Sequence, residues 1–563
     1  MGRVLQTGGW IGEEAGPDVY VDQKEQVFPT LSSEMIDRME PYGRIRSFEA
    51  GAFLYRSGER GVDLHVVLEG AVEILSDSLD EEPSVVVTYG RHQFTGEFDQ
   101  LSRRATLVSA RAVQPARVLC FDRADFRRLT EAQPDIADIL WRALILRRQG
   151  MIQNAVGGTI LIGSRVDPEF LRIGRFLSRN GCPHRQLDID EDPDARRLLA
   201  AAGAGADDLP VVIVGGRAVL RHPDDRNLSD TLGVSEPVDA DHIHDLAVIG
   251  AGPAGLAAAV GAASEGVDTI VVDTVGPGGQ AGTSSRIENY PGFPLGLSGQ
   301  TLAAKALVQA QKFGARLMVA RGIEAIECER CPFVLRLDSG ERITARAVLV
   351  AVGATYRSLE LDGIDRFHGR GIHHAATGME AKLCHDADVV VVGGGNSAGQ
   401  AALFLSSHAR HVHVLVRGSE LADTMSDYLL RRLEASDRIS IHTGATVTGL
   451  DGDSALTRVR WSCRDGTERL AEASNLFLML GAVPNTGWLR GCVELDRHGF
   501  VLTGEADGVG TGRYRTSRPG IFAAGDVRSG SVKRVAAAVG EGAVVLSEIH
   551  RWLSASCGRS GPR

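Results

Sequence analysis

Two short glycine patterns within one block constrain this chain most. The first, Asp245-Leu-Ala-Val-Ile-Gly250-Ala-Gly252-Pro-Ala-Gly255, reads as a buried strand running into G-x-G-x-x-G and an alanine-rich helix. The second, Val389-Val-Val-Val-Gly393-Gly-Gly395-Asn-Ser-Ala398, has the form G-x-G-x-x-A. In such turns the first two glycines permit a tight bend and a close backbone approach to a pyrophosphate. The third small residue lets helix and strand pack closely, and the helix N-terminus favours the anion. A lone pattern is weak. Here, however, the strand Thr269-Ile-Val-Val-Asp273 follows the first turn and ends in an acid about 20 residues on, where a carboxylate binds ribose hydroxyls. The strand after the second turn, His413-Val-Leu-Val-Arg417, ends in an arginine instead. An arginine there can pair with a 2′-phosphate and favours NADP(H) over NAD, the alternative being a solvated strand-end charge. Two dinucleotide sites in one block point to a flavoprotein that accepts hydride from a nicotinamide.

At 563 residues the chain is long enough for about four domains. With 61 Lys+Arg against 72 Asp+Glu the net charge is -11, a poor match for nucleic acid. No stretch approaches the roughly 18 apolar residues of a membrane span, and Met1 to Tyr20 lack the basic start and apolar run of a secretory signal. Gln6 breaks the myristoylation pattern that Gly2 opens, and the expected location is the cytosol. Eight cysteines are too sparse for a disulfide scaffold, so each is judged at its own site. Nothing in their spacing marks a metal site.

The organisation expected is a multidomain α/β chain with two Rossmann-like FAD/NAD(P)-binding domains. These are preceded by a small β-roll and a smaller α/β unit. The boundaries are a mobile lead-in over 1–29, the β-roll over 30–150, the small α/β unit over 155–235, a large block from 245 to about 553, and a tail over 554–563.

The block resembles the low-molecular-weight thioredoxin reductase family over essentially its whole length. The motifs that carry the resemblance are Gly278-Gly-Gln280, Glu288-Asn289-Tyr-Pro-Gly292-Phe, Gln309-Ala-Gln-Lys-Phe313-Gly, Val352-Gly353-Ala, Gly481-Ala-Val-Pro484-Asn485-Thr486 and Gly520-Ile-Phe-Ala-Ala-Gly525-Asp526. The resemblance implies FAD held through Gly250, Gly252, Gly255, Asp273, Gly279, Gln280, Asn289, Gly353, Gly525 and Asp526. Of these, Gln280 and Asn289 would lie near the flavin ring, and Asp526 near its ribitol and phosphates. It also implies an FAD-binding domain over 245–362 and 481–553, an inserted NADPH-binding domain over 363–480 with NADPH held through Gly393, Gly395, Ala398 and Arg417, and a homodimer.

One departure decides the function. Where that family carries a redox C-A-T-C, this sequence reads Ala375-Ala-Thr-Gly378, so neither sulfur is present. Passing electrons to an external disulfide by the family's route needs a dithiol attacking through its thiolate. Cys328-Glu-Arg-Cys331 is a C-x-x-C, but it sits between two strands as a hairpin turn. Cys384 reads as a packed thiol, and Cys463 and Cys492 as isolated. His373 and His374 flank the vacated site, either as structural residues or as proton donors to a substrate. The expectation is therefore an NADPH-dependent FAD oxidoreductase passing electrons to a quinone, oxygen, a ferredoxin- or flavodoxin-like protein, or a partner's disulfide. The alternatives are thioredoxin-disulfide reduction through another dithiol, and a redox sensor with little turnover.

The 30–150 segment resembles the cyclic nucleotide-binding domain through Phe48-x-x-Gly51, Ser57-Gly58-Glu59, Val67-Leu-Glu-Gly70 and a cassette of Gly96-Glu97 followed by Arg104-Ala105. The resemblance implies cyclic AMP or another cyclic nucleotide as effector, with Glu97 on the ribose and Arg104 on the phosphate. The cassette is, however, shorter than the family's loop. No helix-turn-helix follows. The 155–235 segment resembles glutaredoxin- and thioredoxin-like domains by element order and by Leu209-Pro210-Val-Val, which looks like their cis-proline before a strand. Ser164-Arg-Val-Asp-Pro168 stands where their C-x-x-C would be, and Cys182 reads as a structural thiol.

Overall fold

A computed structural model of the chain describes residues 23–77, 83–96, 104–165, 167–284, 287, 289–368, 370–374, 376, 378–419, 421, 425–453, 455–504 and 512–556. The N-terminal part opens with helices α1 (Gln23–Val27) and α2 (Ser33–Met39). Strands β1 (Arg44–Phe48), β2 (Phe53–Tyr55), β3 (Leu64–Glu69), β4 (Val72–Ser76), β5 (Ser84–Tyr89), β6 (Ser109–Ala112) and β7 (Ala116–Phe121) follow. They form two antiparallel sheets, ordered β1-β7-β3 and β2-β6-β4-β5. Their facing sides bury Val67, Val72, Ile74, Ala110 and Val118, because a face shared between two sheets must be apolar, while Val66 and Leu119 point to the helical side. Helix α3 (Arg123–Ala132) begins on an Asp122 cap and α4 (Pro134–Gln153) on a first-turn proline.

The lead-in expected over 1–29 is corrected at its C-terminal end. Residues 23–27 are helical, Val27 is buried, and its carbonyl accepts a hydrogen bond from Arg147 of α4. So short a segment has no helical stability of its own, and tertiary packing orders it. Residues 1–22 of that lead-in lie outside the described residues.

A middle unit runs β8 (Ile160–Gly163), α5 (Pro168–Arg179), β9 (Arg185–Asp188), α6 (Pro193–Ala201), β10 (Val211–Val214), β11 (Ala218–Arg221) and α7 (Asp225–Leu232). Its sheet is ordered β11-β10-β8-β9, with β8 and β9 parallel and the other pairs antiparallel. The Leu209–Pro210 peptide before β10 is cis.

The large block starts with β12 (Ile243–Ile249), α8 (Pro253–Ser264), β13 (Thr269–Val272), α9 (Gly299–Lys312), β14 (Arg316–Met318), β15 (Ile323–Glu327), β16 (Phe333–Leu337), β17 (Arg342–Val350) and β18 (Ala354–Tyr356). The chain then forms β19 (Ile372–His373), α10 (Gly378–Leu383), β20 (Asp388–Val392), α11 (Asn396–Leu405), β21 (His411–Val416), α12 (Asp427–Glu434), β22 (Ile439–Thr443), β23 (Thr446–Asp451), β24 (Arg458–Ser462), β25 (Glu468–Ala471) and β26 (Ala473–Leu478). It returns through β27 (Ala482–Pro484), β28 (Ile521–Ala523), α13 (Val535–Val544) and α14 (Leu546–Ser556). Helix α14 thus takes in the first residues of the expected tail.

Two sheets result. The first is ordered β14-β13-β12-β17-β16-β15, with β28 also on β17; the second, β19-β26-β20-β21-β22, is wholly parallel. Their central strands are apolar on both faces: α8 and α9 pack on one side of the first sheet and α10, α11 and α12 on one side of the second, whose other side is covered by β23, β24 and β25. The antiparallel pair β18–β27 carries the chain out to the second sheet and back. Among the described residues no helix is long and apolar enough to cross a membrane.

Candidate functional site

The first glycine turn joins β12 to α8. Gly250 has φ +107°, and a side chain at Gly255 would run into the Gly250 carbonyl, so both positions demand glycine. Helix α8 starts at Gly252 with no side-chain cap, and α11 likewise starts at Gly395 uncapped. By contrast α2, α3, α5, α7 and α9 begin on Ser or Asp caps. Leaving those first-turn N–H groups unclaimed at both glycine turns fits two pyrophosphates.

Asp273 ends β13 and accepts from Ala251 N at 2.8 Å through one carboxylate oxygen. The other oxygen accepts from Val275 and Gly276 N at 2.9 and 2.8 Å. The loop that follows lies on the turn: Gly278 N donates to Ala251 O at 2.8 Å, and a side chain at Gly279 would lie 3.0 Å from Gly252 Cα. Gln280 and Asn289 are exposed beyond it, and Gly353 takes φ +63° just before β18. Gly525 N donates to Glu541 at 2.6 Å, and the Asp526 carbonyl accepts from Lys533 at 3.0 Å. Burial raises the Asp526 carboxyl above its usual range, with Lys533 opposing. Helix α13 lies so close to α8 that a side chain at Gly542 would collide with Ala254.

The second turn is built in the same way, and among the described residues Asn396 Oδ1 at its helix start accepts from Ser426 N at 2.8 Å. Gly393 has φ +149° and a side chain there would meet Met479 O at 2.6 Å, while Ala398 is fully buried under it. Arg417 is exposed at the end of β21 and makes no ion pair among the described residues. That leaves its guanidinium open to a phosphate.

Between the two sheets lies the place where the dithiol is missing. Ala375 lies outside the described residues, and Gly378 opens α10. The neighbouring histidines separate. His373 Nε2 lies 2.8 Å from Asn475 Oδ1 and its ring packs on Phe477, inside the second sheet's core. His374 stacks between Tyr356 and His368, with ring centroids 5.3 and 5.4 Å away and both planes within 15°. Burial, with His368 and His373 close by, pushes its pKa down to about 4, so its imidazole is neutral at pH 7. Tyr356 in turn senses the charge of Asp526, which burial and that charge register as a raised phenol pKa. His374 thus stacks on Tyr356 of β18, and His373 does not. Neither Tyr356 nor His368 stands in any motif.

The cysteines give no substitute at this point. Cys328, read with Cys331 as a C-x-x-C, is bonded to Cys492, which sequence alone left isolated; their Cα atoms are 6.1 Å apart and both are buried. Cys384 is fully buried, its thiol pushed up to about 12 by burial and Glu380.

In the β-roll Gly96 lies beside a small cavity, and Glu97 falls outside the described residues. Arg104 is 4% exposed and donates to Asn180 O of the middle unit at 3.0 Å. Residues 178–181, the C-terminal end of α5, form a hub. Arg148 of α4 donates to Gly181 O at 2.6 Å from one side. From the other, Arg179 donates to Pro277 O and Gly279 O at 3.0 and 2.9 Å, and Asn180 to Val275 O at 3.1 Å. The N-terminal units therefore rest on the loop that covers the first glycine turn. One group with metal-ligand character occurs among the described residues, His242, His244 and Asp268; Arg316 shares the carboxylate, which makes it an ion-pair cluster.

Paired glycine turns with an acid at one and a free arginine at the other define an oxidoreductase that couples a flavin to a nicotinamide. The chain belongs to the pyridine nucleotide-disulphide oxidoreductase family, which residues 244–542 match, and residues 45–133 match the cyclic nucleotide-binding domain. It is similar to the thioredoxin reductase of Mycolicibacterium smegmatis, with 35% identity over 315 residues, 55% of this chain and 97% of that one. It is also similar to NADPH-dependent thioredoxin reductase 3 of Arabidopsis thaliana, with 33% identity over 61% of this chain and 66% of that protein. The crystal structure of thioredoxin reductase from Streptococcus pyogenes MGAS5005 superposes with a TM-score of 0.51 at 29% identity, covering 55% of this chain and 98% of that one. The chain is accordingly an NADPH-dependent flavin oxidoreductase of the thioredoxin-reductase type, with FAD and NADPH as its cofactors.

Proposed function

We propose that this enzyme passes electrons from its reduced flavin to an acceptor other than thioredoxin, and that its N-terminal units regulate the transfer. The observation that carries the reading is the pair Ala375 and Gly378 where the family holds its dithiol. No other thiol described here stands at that point, and the C-x-x-C that could have replaced it has Cys328 bonded to Cys492. When bound, FAD supplies hydride acceptance from NADPH and onward electron transfer. The protein's part is to hold the two cofactors, to orient them and to limit access. The turn at Gly250–Gly255 with Asp273 holds the first dinucleotide; the turn at Gly393–Ala398 with Arg417 holds the second. His374, neutral and stacked on Tyr356, offers a hydrogen bond to an acceptor rather than a ready proton. Support for regulation comes from the hub at 178–181, which joins both N-terminal units to the loop over the flavin turn. The family likeness supports a homodimer.

The test is anaerobic. NADPH is added to the FAD-loaded chain, flavin absorbance is followed, and thioredoxin, a quinone and a ferredoxin are then added in turn. Rapid bleaching that a quinone or ferredoxin reverses and thioredoxin does not is the expected result. Bleaching reversed by thioredoxin alone overturns the choice of acceptor.

A further inference from the structure

The Cys328–Cys492 bond joins residues 164 apart in the chain, and the whole excursion from β18 through the second sheet to β27 lies between them. Cys328 stands on the outgoing side, directly after β15, and Cys492 on the returning side, after β27. The bond therefore ties the two stems of that excursion together on the first sheet. Non-covalent contacts hold the returning stem as well. Asn485 donates to Val352 O at 3.3 Å and accepts from Thr355 Oγ1 at 3.2 Å. Leu489, Cys492 and Val493 pack into the first sheet's core beside Cys328, and the Cys492 carbonyl accepts from Arg518 Nε at 3.4 Å.

Both bonded cysteines are 7% exposed, so a thiol arriving from solvent has little access to either sulfur. Cys331 differs. It lies in the connection 328–333 that joins β15 to β16, where Glu327 and Val334 are paired across the hairpin, and it is half-buried and outside the bond. Its thiol donates to Arg346 O at 3.6 Å, a carbonyl that Trp552 Nε1 of α14 shares at 3.0 Å. One end of the hairpin thus carries a cysteine inside the bond and, three residues on, a cysteine within reach of solvent. A tie that is only structural needs two cysteines. Exchange needs a third, whose thiolate attacks a disulfide sulfur and lets another sulfur leave.

We infer that Cys328, Cys331 and Cys492 form one thiol–disulfide exchange site that takes an external dithiol, with Cys331 as the entry thiol and the tie between the two stems as the element it opens. The Cys331 thiolate attacks Cys328 Sγ. A Cys328–Cys331 bond forms, the Cys328–Cys492 bond breaks, and Cys492 leaves as a thiolate that takes up the proton Cys331 lost. One thiolate of the external dithiol then attacks Cys331 Sγ, giving a mixed disulfide and releasing Cys328. The second thiolate closes the external disulfide and releases Cys331. Two electrons pass from the dithiol to the protein, and the two protons of the dithiol end on Cys328 and Cys331. Once the tie is open, Asn485 and Leu489 still hold the returning stem, so the second sheet's unit gains freedom on its base without unfolding. The effect of that freedom on hydride transfer rests on the functional reading above; the exchange site does not.

The experiment uses the full FAD-loaded chain purified without reductant, with dithiothreitol as the external dithiol. Quenching in denaturant with an alkylating agent, followed by peptide mapping, should find Cys328 linked to Cys492 and Cys331 alkylated. Cys328 and Cys492 both alkylated would overturn the site. On addition of dithiothreitol to the native chain, the link should be lost at least about tenfold faster in the wild type than in Cys331→Ser, and equal rates would overturn the entry role. Cys492→Ser covers the case in which Cys331→Ser fails to fold. After exposure to oxidised glutathione it should carry Cys328 linked to Cys331, and any other state of Cys328 would overturn the exchange. Bleaching of the flavin by NADPH is followed before and after reduction, with the dithiothreitol removed, and its rate should change at least about threefold. An unchanged rate overturns the coupling alone, and a flavin that NADPH never bleaches overturns the functional reading while the peptide map still judges the site.

Discussion

The two glycine turns of the large block share a design and differ in how they are held. The turn at Gly250–Gly255 is braced by Asp273, by the Gly278–Gly279 loop, by α13 against Ala254, and from outside the block by Arg179. The turn at Gly393–Ala398 rests on Met479 and ends at an arginine open to solvent. A dinucleotide that stays through every turnover gains from a turn ordered in advance, whereas one that must leave each time is better served by an open site. The contrast in bracing supports the proposal that the first turn holds the resident cofactor and the second the exchanging one.

The sharpest way to break this contrast is to spoil each turn separately. Gly255→Val should give protein with less than about a tenth of the wild-type flavin, because its side chain meets the Gly250 carbonyl. Gly393→Val should stay yellow and resist bleaching by NADPH. Flavin content after gel filtration checks both, and a yellow Gly255→Val would sink the assignment. Next in size, Arg417→Ala should raise KM for NADPH about tenfold to a hundredfold and change that for NADH less than about threefold, in steady-state kinetics.

Acid should separate the two regions more gently. Burial, aided by neighbouring histidines, pushes His374 and His413 down to about 4, against about 6.5 in an unfolded chain. Between those values the unfolded state binds protons that the folded state refuses, so the stability of the second sheet's region falls as pH drops from 6.5 to 4. In the first region burial raises the Asp268 carboxyl, but the bonds from His244 and His242 outweigh it and hold it below the usual carboxylate range. That contribution is lost only as pH falls below about 4. Hydrogen exchange at pH 5 and 7 should therefore show β21 losing more protection than β13; equal losses would contradict the account. The smallest effect is expected of Arg179→Ala. It removes two hydrogen bonds worth about 1 kcal/mol each from the flavin-side loop, and should speed FAD release several-fold in a stopped-flow exchange against apoflavodoxin.

How much of this was legible depended on how local the physics is. The glycine turns and the missing dithiol could be read directly, because a forced φ or an absent sulfur is a property of one residue. The Cys328–Cys492 bond could not, since its partners are 164 residues apart and only the fold brings them together. The hub escaped for a related reason: Arg179 and Asn180 act mainly through backbone carbonyls of another unit, and carbonyls leave no trace in residue identity. Arg147 did leave a signal, a charge on an apolar stripe. Arg104 drew attention because a family motif pointed there.

Chain order also matters for the contact between α5 and the flavin-side loop. Residues 178–181 leave the ribosome well before residues 275–279, and at ordinary synthesis rates domains that emerge first fold first. The middle unit is therefore synthesised, and as a domain folded, before the loop that it contacts.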